Sequence, residues 1–248
     1  MSALFQVINA ETGPMQLIQN HNTSLLLADA SPADAAWFDR QALEAAGRVE
    51  GHSDASGRNP AWFLNVDGFR CVLRHYYRGG LPGKLIKDLY LWPGLEQTRA
   101  YRELALLERL VALELPVSRP VAAQVVRIGP VYRADLITER LEGCKDLVKC
   151  LVDGPLPEQK WRQLGALLAR FHRAGVYHAD LNARNILMDD EQFYLIDFDR
   201  GEIRPPDSGW QQGNLQRLLR SFRKEQGRVE GLHWQESHWQ ALLSGYHA

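Results

Sequence analysis

The chain has 248 residues, of which 45% are hydrophobic and 24% are charged, and its formal net charge is −1. A chain of this length and composition can bury a sizeable core as one compact domain or two small lobes, and it is not disordered. The near-zero charge supplies no basic field, so we expect no nucleic-acid partner. No apolar run is long enough to cross a bilayer and no N-terminal signal pattern is present, so we expect a cytoplasmic location.

Apolar periodicity and turn-forming residues divide the first part of the chain into expected segments. In chain order these are an irregular or peripheral extension (residues 1–30), a capped helix (31–46), two strands (61–66 and 69–77), a long helix (98–115) and two further strands (122–128 and 131–138). The pair Asp67-Gly68 between the first two strands is typical of a tight hairpin turn. In the long helix, Leu104, Leu107 and Val111 recur at spacings of three and four residues.

The second part of the sequence predicts helices on either side of a short polar loop. Pro157 begins a helix that Gly175 ends, and Leu164 and Leu168 lie on one of its faces. A further helix is predicted over residues 210–221. The first of these helices leads directly into the loop.

Three polar residues in and after this loop are candidates for a functional site. Asp180 and Asn185 lie on the loop, and Asp197 ends a second apolar run. The runs at residues 186–188 and 193–196 predict a hairpin, which would bring Asn185 and Asp197 together. The alternative is an ordinary hairpin whose acidic turn residues are only solvated. We expect His178 to pack beneath the loop without a chemical role.

The loop and the segment after it resemble the catalytic core of protein kinases and their small-molecule relatives. The loop reads His178-Ala179-Asp180-x-x-x-x-Asn185 and the later segment reads Asp197-Phe198-Asp199, compared with His-Arg-Asp-x-x-x-x-Asn and Asp-Phe-Gly in protein kinases. The resemblance implies an α+β, protein-kinase-like bilobal fold with a small antiparallel β lobe and a mainly helical C-terminal lobe. It implies one kinase-like domain, with the N-terminal extension and small nucleotide-binding lobe in residues 1–138 and the hinge and catalytic lobe in residues 139–248.

These residue types suit phosphoryl transfer from ATP. A loop carboxylate such as Asp180 can orient an attacking hydroxyl and accept its proton as a general base. Magnesium takes hard oxygen ligands, which the carboxylate of Asp197 and the amide oxygen of Asn185 can supply. We therefore expect ATP and Mg²⁺ to be used.

The resemblance also implies a phosphate anchor in the small lobe. The strand segment at residues 71–74 reads Cys-Val-Leu-Arg where protein kinases have Val-Ala-Ile-Lys, so Arg74 replaces the lysine. Its guanidinium can fork onto phosphate oxygens, and we expect Glu103 on the long helix to pair with it. Gly57 and Arg58 belong to the expected phosphate-covering loop. The alternatives are an arginine and a glutamate that point to solvent.

Three features depart from protein kinases: the chain is short, Asp199 replaces the glycine of Asp-Phe-Gly, and no Ala-Pro-Glu follows. Four segments together resemble the 3-deoxy-D-manno-octulosonic acid (Kdo) kinases of the lipopolysaccharide kinase family, namely residues 74–80, 178–187, 197–201 and 214–221. The resemblance covers about residues 47–221. It implies ATP-dependent phosphorylation of the 4-hydroxyl of Kdo on a lipid A precursor, in lipopolysaccharide core biosynthesis at the inner face of the Gram-negative inner membrane.

A local cluster of basic residues supports peripheral contact with an anionic membrane surface. The cluster lies next to the Leu-Tyr-Leu-Trp segment at residues 89–92 and consists of Arg70, Arg74, Arg78, Lys84 and Lys87. Cations beside aliphatic and aromatic groups suit an anionic lipid surface. The alternatives are a solvated strand end beside core aromatics and, if Lys84 or Lys87 binds ATP, a phosphate anchor other than Arg74.

Three arginines near the catalytic segments are candidates for binding the carboxylate of the sugar. They are Arg184, Arg200 and Arg204. Each of them is equally consistent with a surface ion pair.

Two alternatives to a Kdo kinase stay open. One is another glycolipid or small-molecule kinase, such as a heptose kinase or an aminoglycoside-type phosphotransferase. The other is a pseudokinase that binds lipid or a partner without catalysis. The presence of Asp180, Asn185 and Asp197 argues against a pseudokinase, whereas Arg74 and the single glycine in the phosphate-covering loop argue for it.

Overall fold

The computed structural model describes residues 15–53, 60–78 and 88–248, and the N-terminal part of them is built on one antiparallel sheet. Its strands are β1 Gln16–Asn20, β2 Thr23–Leu27, β3 Val49–His52, β4 Trp62–Val66, β5 Phe69–His75, β6 Tyr90–Leu91, β7 Pro120–Ile128 and β8 Val131–Glu139. Within the described residues the order across the sheet is β1-β2-β7-β8-β5-β4-β3, and β6 pairs with β8. Two helices accompany the sheet, α1 Arg40–Ala45 and α2 Arg99–Ala112.

The hairpin that the pair Asp67-Gly68 predicts is present between β4 and β5. Val66 pairs with Phe69, and both turn residues have positive φ, 53° at Asp67 and 88° at Gly68. Such dihedrals belong to the tight turns whose twist matches that of antiparallel strands. The turn therefore sets the register of β5 and with it the position of Arg74 along the strand.

The expectation of an irregular extension is wrong for residues 16–27. Here β1 pairs with β2, β2 pairs with β7, and Leu25, Leu26 and Leu27 are buried. A strand that is buried on both faces gives a continuous apolar run instead of an alternating pattern, so this short run carried no clear strand signal. The rest of the expected extension, residues 1–14, lies outside the described residues.

The single helix expected over residues 31–46 is also wrong, because two shorter elements occupy this stretch. A 3₁₀ turn over Ala35–Phe38 is followed by α1, and Asp39 lies between them with a non-helical ψ of 86°. The carboxylate of Asp39 accepts a hydrogen bond from the Ala42 N–H at 3.1 Å and so caps α1. A local bond of this kind competes with continuation of a helix through the same residue.

The remainder of the chain is mainly helical. Its helices are α3 Leu147–Asp153, α4 Glu158–Arg173, α5 Ser208–Gln226 and α6 Glu236–Tyr246. Its short strands are β9 Lys145–Asp146, β10 Val176–Tyr177, β11 Ile186–Met188, β12 Phe193–Leu195 and β13 Glu202–Ile203. β11 pairs with β12 and β9, and β10 pairs with β13. The expected α+β class, with an antiparallel sheet followed by a mainly helical part, is confirmed.

One hydrophobic core runs through both parts of the molecule. It contains Leu104 of α2, Leu164 of α4 and Leu26 of β2. A second, smaller cluster includes Leu25 of β2 and Leu43 of α1. Because neighbouring residues of a strand point to opposite faces, the two clusters lie on opposite faces of the sheet. The helical part is thus joined to the sheet by close packing, which fixes the walls of the space between them.

The helices α4 and α6 approach each other closely at two glycines. A Cβ atom added at Gly165 would lie 1.9 Å from the carbonyl oxygen of Leu242, and one added at Gly245 would lie 2.0 Å from the carbonyl oxygen of Arg162. Both distances are far inside van der Waals contact. The two backbones can therefore touch only because neither glycine has a side chain.

We expect Gly165→Ala to destabilise the protein by about 1–3 kcal/mol, because the added methyl group overpacks the contact between α4 and α6. The free energy of unfolding in urea measures the effect. Gly213→Ala on α5 is the matched control, since an added Cβ there meets nothing within 4 Å. Because alanine has a higher helix propensity than glycine, Gly213→Ala should leave the stability unchanged or raise it by up to about 1 kcal/mol. Equal effects at the two positions would contradict the close approach.

Candidate active site

A cleft of about 640 Å³ lies where the sheet meets the helical part of the chain. Arg74 on β5 and Glu103 on α2 line it from one side. Asn182, Asn185 and Asp197 line it from the other side. The cleft therefore gathers charged and polar residues that are distant in sequence, and its size suits a small-molecule ligand.

The ion pair that the sequence predicts between Arg74 and Glu103 is present, and it is part of a larger network. Nη2 of Arg74 donates to Oε1 of Glu103 at 2.5 Å, and Nη1 donates to Oδ1 of Asp197. The hydroxyl of Tyr76 donates to Oε2 of Glu103 at 2.6 Å. Glu103 is buried, and each of its carboxylate oxygens has a hydrogen-bond donor.

Burial and charge have opposite effects in this network. Burial raises the pKa of Glu103 above its usual value, although the charge of Arg74 opposes the rise. Burial alone would lower the pKa of Arg74, but the carboxylates of Asp197 and Glu103 hold it well above its usual value. Arg74 is therefore a permanent cation in the wall of the cleft.

A buried histidine shapes the loop that carries Asp180. Nδ1 of His178 accepts a hydrogen bond from the backbone N–H of Asp180 at 3.2 Å, and Nε2 donates to the carbonyl oxygen of Ile196 at 3.0 Å. With these partners the imidazole is neutral and carries its proton on Nε2. Burial lowers the pKa of the imidazole, which favours this neutral form. His178 thereby ties the loop to the strand that leads into Asp197.

The predicted hairpin is present as β11 and β12, and it brings Asn185 and Asp197 to the same wall of the cleft. The N–H of Ile196 donates to the carbonyl oxygen of Asn185 at 3.0 Å. Nδ2 of Asn185 donates to the carbonyl oxygen of Asp180 at 3.0 Å, which leaves the amide Oδ1 as an acceptor or ligand atom. Asp197 has a φ of 63°, a left-handed conformation that aspartate tolerates better than most residues.

A row of polar residues on α5 holds the loop that carries Asp180, and none of these contacts was predicted from the sequence. We call this row the polar seam, and its contacts are Asn214 with His178, Arg217 with Asp180, Ser221 with Ala183, and Glu225 with Arg184. Positions three and four residues apart share one helix face. The spacing of these four polar residues is visible in the sequence, but polar residues on a solvent-exposed helix face have the same spacing.

Arg217 is the member of the polar seam that contacts the candidate general base. Its Nη2 lies 2.6 Å and its Nε lies 3.2 Å from Oδ1 of Asp180. Nδ2 of Asn182 donates to Oδ2 of Asp180 at 3.2 Å. The side chains of Arg217 and Asp180 are 45% and 46% exposed. The carboxylate is therefore oriented by two partners and still open to solvent.

Asp199, which replaces the expected glycine, has an arginine partner on α2. Nε of Arg99 donates to Oδ1 of Asp199 at 2.7 Å. The same guanidinium donates to the hydroxyl of Tyr90 and lies over the rings of Tyr76 and Tyr90. Because an aspartate stands at position 199 where protein kinases have glycine, α2 has a second polar link to the segment that contains Asp197.

The three arginines proposed for the sugar carboxylate all have acidic partners. Arg184 lines the cleft, and its Nη2 lies 2.6 Å from Oε2 of the buried Glu225. Arg200 is 71% exposed and lies 3.7 Å from Asp199. Arg204 pairs with Glu202 and lies over the ring of Tyr177 at 3.8 Å. For each of them, the ion pair considered as the alternative is present.

Part of the expected phosphate and membrane contacts lies outside the described residues. This applies to Gly57 and Arg58 of the phosphate-covering loop and to Lys84 and Lys87 of the basic cluster. In the described part of that cluster, Arg70 pairs with Glu50 and Glu142, and Arg74 lies in the cleft. Arg78 lies over the ring of Tyr90 at 5.5 Å. Carboxylates pair with Arg70 and Arg74, and membrane contact by the cluster stays a prediction.

The chain is similar in sequence to a known family and to individual proteins. The sequence model of the lipopolysaccharide kinase (Kdo/WaaP) family matches residues 45–246. A 3-deoxy-D-manno-octulosonic acid kinase of Vibrio parahaemolyticus serotype O3:K6 is 44% identical over 207 residues, covering 83% of this chain and 85% of the relative. The protein with the same description from Actinobacillus succinogenes is 40% identical over 241 residues, covering 94% and 99%.

A solved structure described as WaaP in complex with acyl carrier protein is also similar to this chain. It superposes with a TM-score of 0.57 and 19% sequence identity, covering 90% of this chain and 88% of the other. At this level of identity the likeness concerns the fold alone. The expected protein-kinase-like architecture is thereby confirmed.

We expect Arg74→Ala to destabilise the protein by about 3–5 kcal/mol, because it leaves the buried carboxylate of Glu103 without its cation. The double variant Arg74→Ala/Glu103→Gln should recover much of that loss, since it contains no buried, uncompensated charge. Urea unfolding of the three proteins measures both effects. Arg223→Ala is the control, because its ion pair with Glu236 is exposed and its loss should barely change stability. A double variant that is less stable than Arg74→Ala would contradict the role given to the pair.

Proposed function

The chain belongs to the lipopolysaccharide kinase (Kdo/WaaP) family, and we propose that it transfers the terminal phosphoryl group of ATP to the 4-hydroxyl of a Kdo residue on a lipid A precursor, in lipopolysaccharide core biosynthesis. The descriptions of its curated relatives support Kdo as the acceptor. The observation that carries the proposal is that Asn185 and Asp197 lie together in the wall of the cleft, and that Asn185 is hydrogen-bonded to the adjacent Asp180. We assign residues 1–138 to the extension and small lobe, and residues 139–248 to the hinge and catalytic lobe of one kinase-like domain.

Asp180 is proposed as the general base. The acceptor hydroxyl attacks the terminal phosphorus of ATP, so that one P–O bond forms, the P–O bond to ADP breaks, and the hydroxyl proton passes to Asp180. The carboxylate is suited to this role because Arg217 and Asn182 orient it while about half of its surface stays accessible. A carboxylate has about four lone-pair sites, so these two partners leave room for the hydroxyl.

Asn185 and Asp197 are proposed to hold Mg²⁺, and their donor atoms fit a hard cation. The amide nitrogen of Asn185 is engaged by Asp180, which directs the amide oxygen toward the role of ligand. Asp197 binds Arg74 through Oδ1 and has a second carboxylate oxygen for a metal ion. When bound there, Mg²⁺ would neutralise negative charge on the phosphates.

ATP is proposed to occupy the cleft between β5 and the hairpin. Val72, Leu187 and Ile196 supply apolar lining for an adenine ring, and the permanent charge of Arg74 suits the phosphates. We keep Gly57 and Arg58 as the proposed cover over the phosphates. The ion pair with Glu103 would hold Arg74, the proposed phosphate anchor, in place.

We also propose peripheral contact with the anionic surface at the inner face of the inner membrane. Leu91 and Ile128 are exposed apolar residues, and both lie next to Val131 at the same end of the sheet. Arg127 lies over the ring of Trp92 at 5.0 Å, so a cation accompanies this apolar edge. Among the described residues, no helix is long and apolar enough to cross a membrane.

Incubation with ATP, Mg²⁺ and a Kdo-bearing lipid A precursor should give a product that is heavier by one phosphoryl group, as measured by mass spectrometry. Asp180→Asn should lower the rate by about a hundredfold or more while the protein stays folded and binds ATP, because general-base catalysis is lost. Bound ATP without product would indicate a pseudokinase. Phosphorylation of a heptose or an aminoglycoside instead of Kdo would indicate the other kinase alternative.

Asp197→Asn should weaken ATP binding in the presence of Mg²⁺ but have little effect in its absence, because a charged metal ligand is replaced by a neutral one. Titration calorimetry with and without Mg²⁺ separates these cases. Asp190→Asn changes an exposed acid in the turn of the same hairpin and serves as the control. An Asp197→Asn protein with unchanged Mg²⁺ dependence would show that the metal is bound elsewhere.

A further inference from the structure

The ion pair between Arg217 and Asp180 is more exposed than the two pairs at the site that involve buried carboxylates. The pair between Arg74 and Glu103 involves a carboxylate that is 2% exposed, and the pair between Arg184 and Glu225 involves one that is 8% exposed. Asp180, in contrast, is 46% exposed. A buried pair is held in place by the cost of desolvating an unpaired charge, whereas an exposed pair exchanges its partners at little cost. A ligand can therefore reach Arg217.

Arg217 also has more hydrogen-bond donors than Asp180 uses. A guanidinium carries five N–H donors, and here Nε and Nη2 both point at the single oxygen Oδ1 of Asp180. Among the described residues, no acceptor is assigned to Nη1. The edge formed by the two terminal nitrogens has the geometry that binds a carboxylate through two parallel hydrogen bonds.

The other arginines near the loop are less suited to bind an anion of the acceptor. Arg184 is committed to the buried Glu225, and Arg204 pairs with Glu202. Arg200 lies beside Asp199, which Arg99 also binds. Arg217 is the arginine in direct contact with the proposed base, so an anion bound to it would be adjacent to the hydroxyl that Asp180 receives.

The chemistry of the acceptor matches this arrangement. In a 3-deoxy-2-ulosonic acid sugar, the carbon that bears the carboxylate and the carbon that bears the 4-hydroxyl are separated by one methylene carbon, so both groups project from one short part of the ring. We propose that Arg217 binds the sugar carboxylate and thereby selects an acidic sugar over a neutral one and presents its 4-hydroxyl to Asp180. This inference rests on the proposed function and adds the residue that recognises the acid. A site built to bind a polar group discriminates strongly against an analogue that lacks it.

The test compares two acceptors, the Kdo-bearing lipid A precursor and the same lipid with the Kdo carboxylate converted to a primary carboxamide. Loss of a charge-assisted contact predicts that the natural protein prefers the acid by roughly 10- to 100-fold in kcat/KM, mainly through KM. Arg217→Gln should reduce this preference to near one. Arg217→Lys should keep part of it, since an ammonium retains the charge but loses the fork.

The ratio of the two acceptors separates recognition from positioning. If Arg217 only orients Asp180, then Arg217→Gln lowers kcat/KM equally for acid and amide, the preference persists, and the inference is overturned. A natural protein without any preference overturns it as well. Arg223→Gln is the matched control, because Arg223 is on the same helix and binds Glu236 through Nε and Nη2 in an exposed pair; it should keep the preference. Absence of product with the acid form would refute the proposed function itself, together with the inference.

Discussion

The buried carboxylate of Glu103 is the constraint on which the arrangement of the site depends. A buried carboxylate needs a cation and hydrogen-bond donors, and these come from Arg74 and Tyr76 on β5 and just after it. Arg74 extends the network to Asp197. The buried charge of Glu103 therefore joins α2, β5 and the segment that follows the β11–β12 hairpin. Because Arg99 on the same helix also holds Asp199, a movement of α2 would displace this segment as well.

The loop that carries Asp180 is held in place by residues of the helical part, separately from the network around Glu103. His178 holds it from beneath through Ile196, and the polar seam of α5 binds it residue by residue from the side. Buried polar side chains such as Asn214 are stable only when their partners are in place, so the loop and α5 specify each other's position. Ile196 and Asn182, which line the cleft, are among these partners, so the position of Asp180 is coupled to the wall of the cleft.

Local sequence signals predicted much of the fold and failed where the decisive partner is distant. The pair Asp67-Gly68 predicts its own turn, and the apolar spacing in α2 and α4 predicts those helices. The β11–β12 hairpin, which was also predicted, explains why Asn185 and Asp197 share a wall of the cleft. In contrast, β2 is a strand because it pairs with β7, about a hundred residues later in the chain. Arg217 contacts Asp180 across 37 positions, and no local pattern distinguishes such a residue from a solvated helix arginine.

The distribution of ion pairs divides the site into a fixed half and an exchangeable half. Arg74 and Arg184 are paired with buried carboxylates, and removing either arginine would leave a buried carboxylate without its cation. These pairs hold the framework in one geometry. The pair between Asp180 and Arg217 lies at the surface, where water and salt already weaken it and a substrate can replace part of it at little cost. An incoming ligand can therefore displace solvent most easily at the exposed pair, next to the two pairs whose carboxylates are buried.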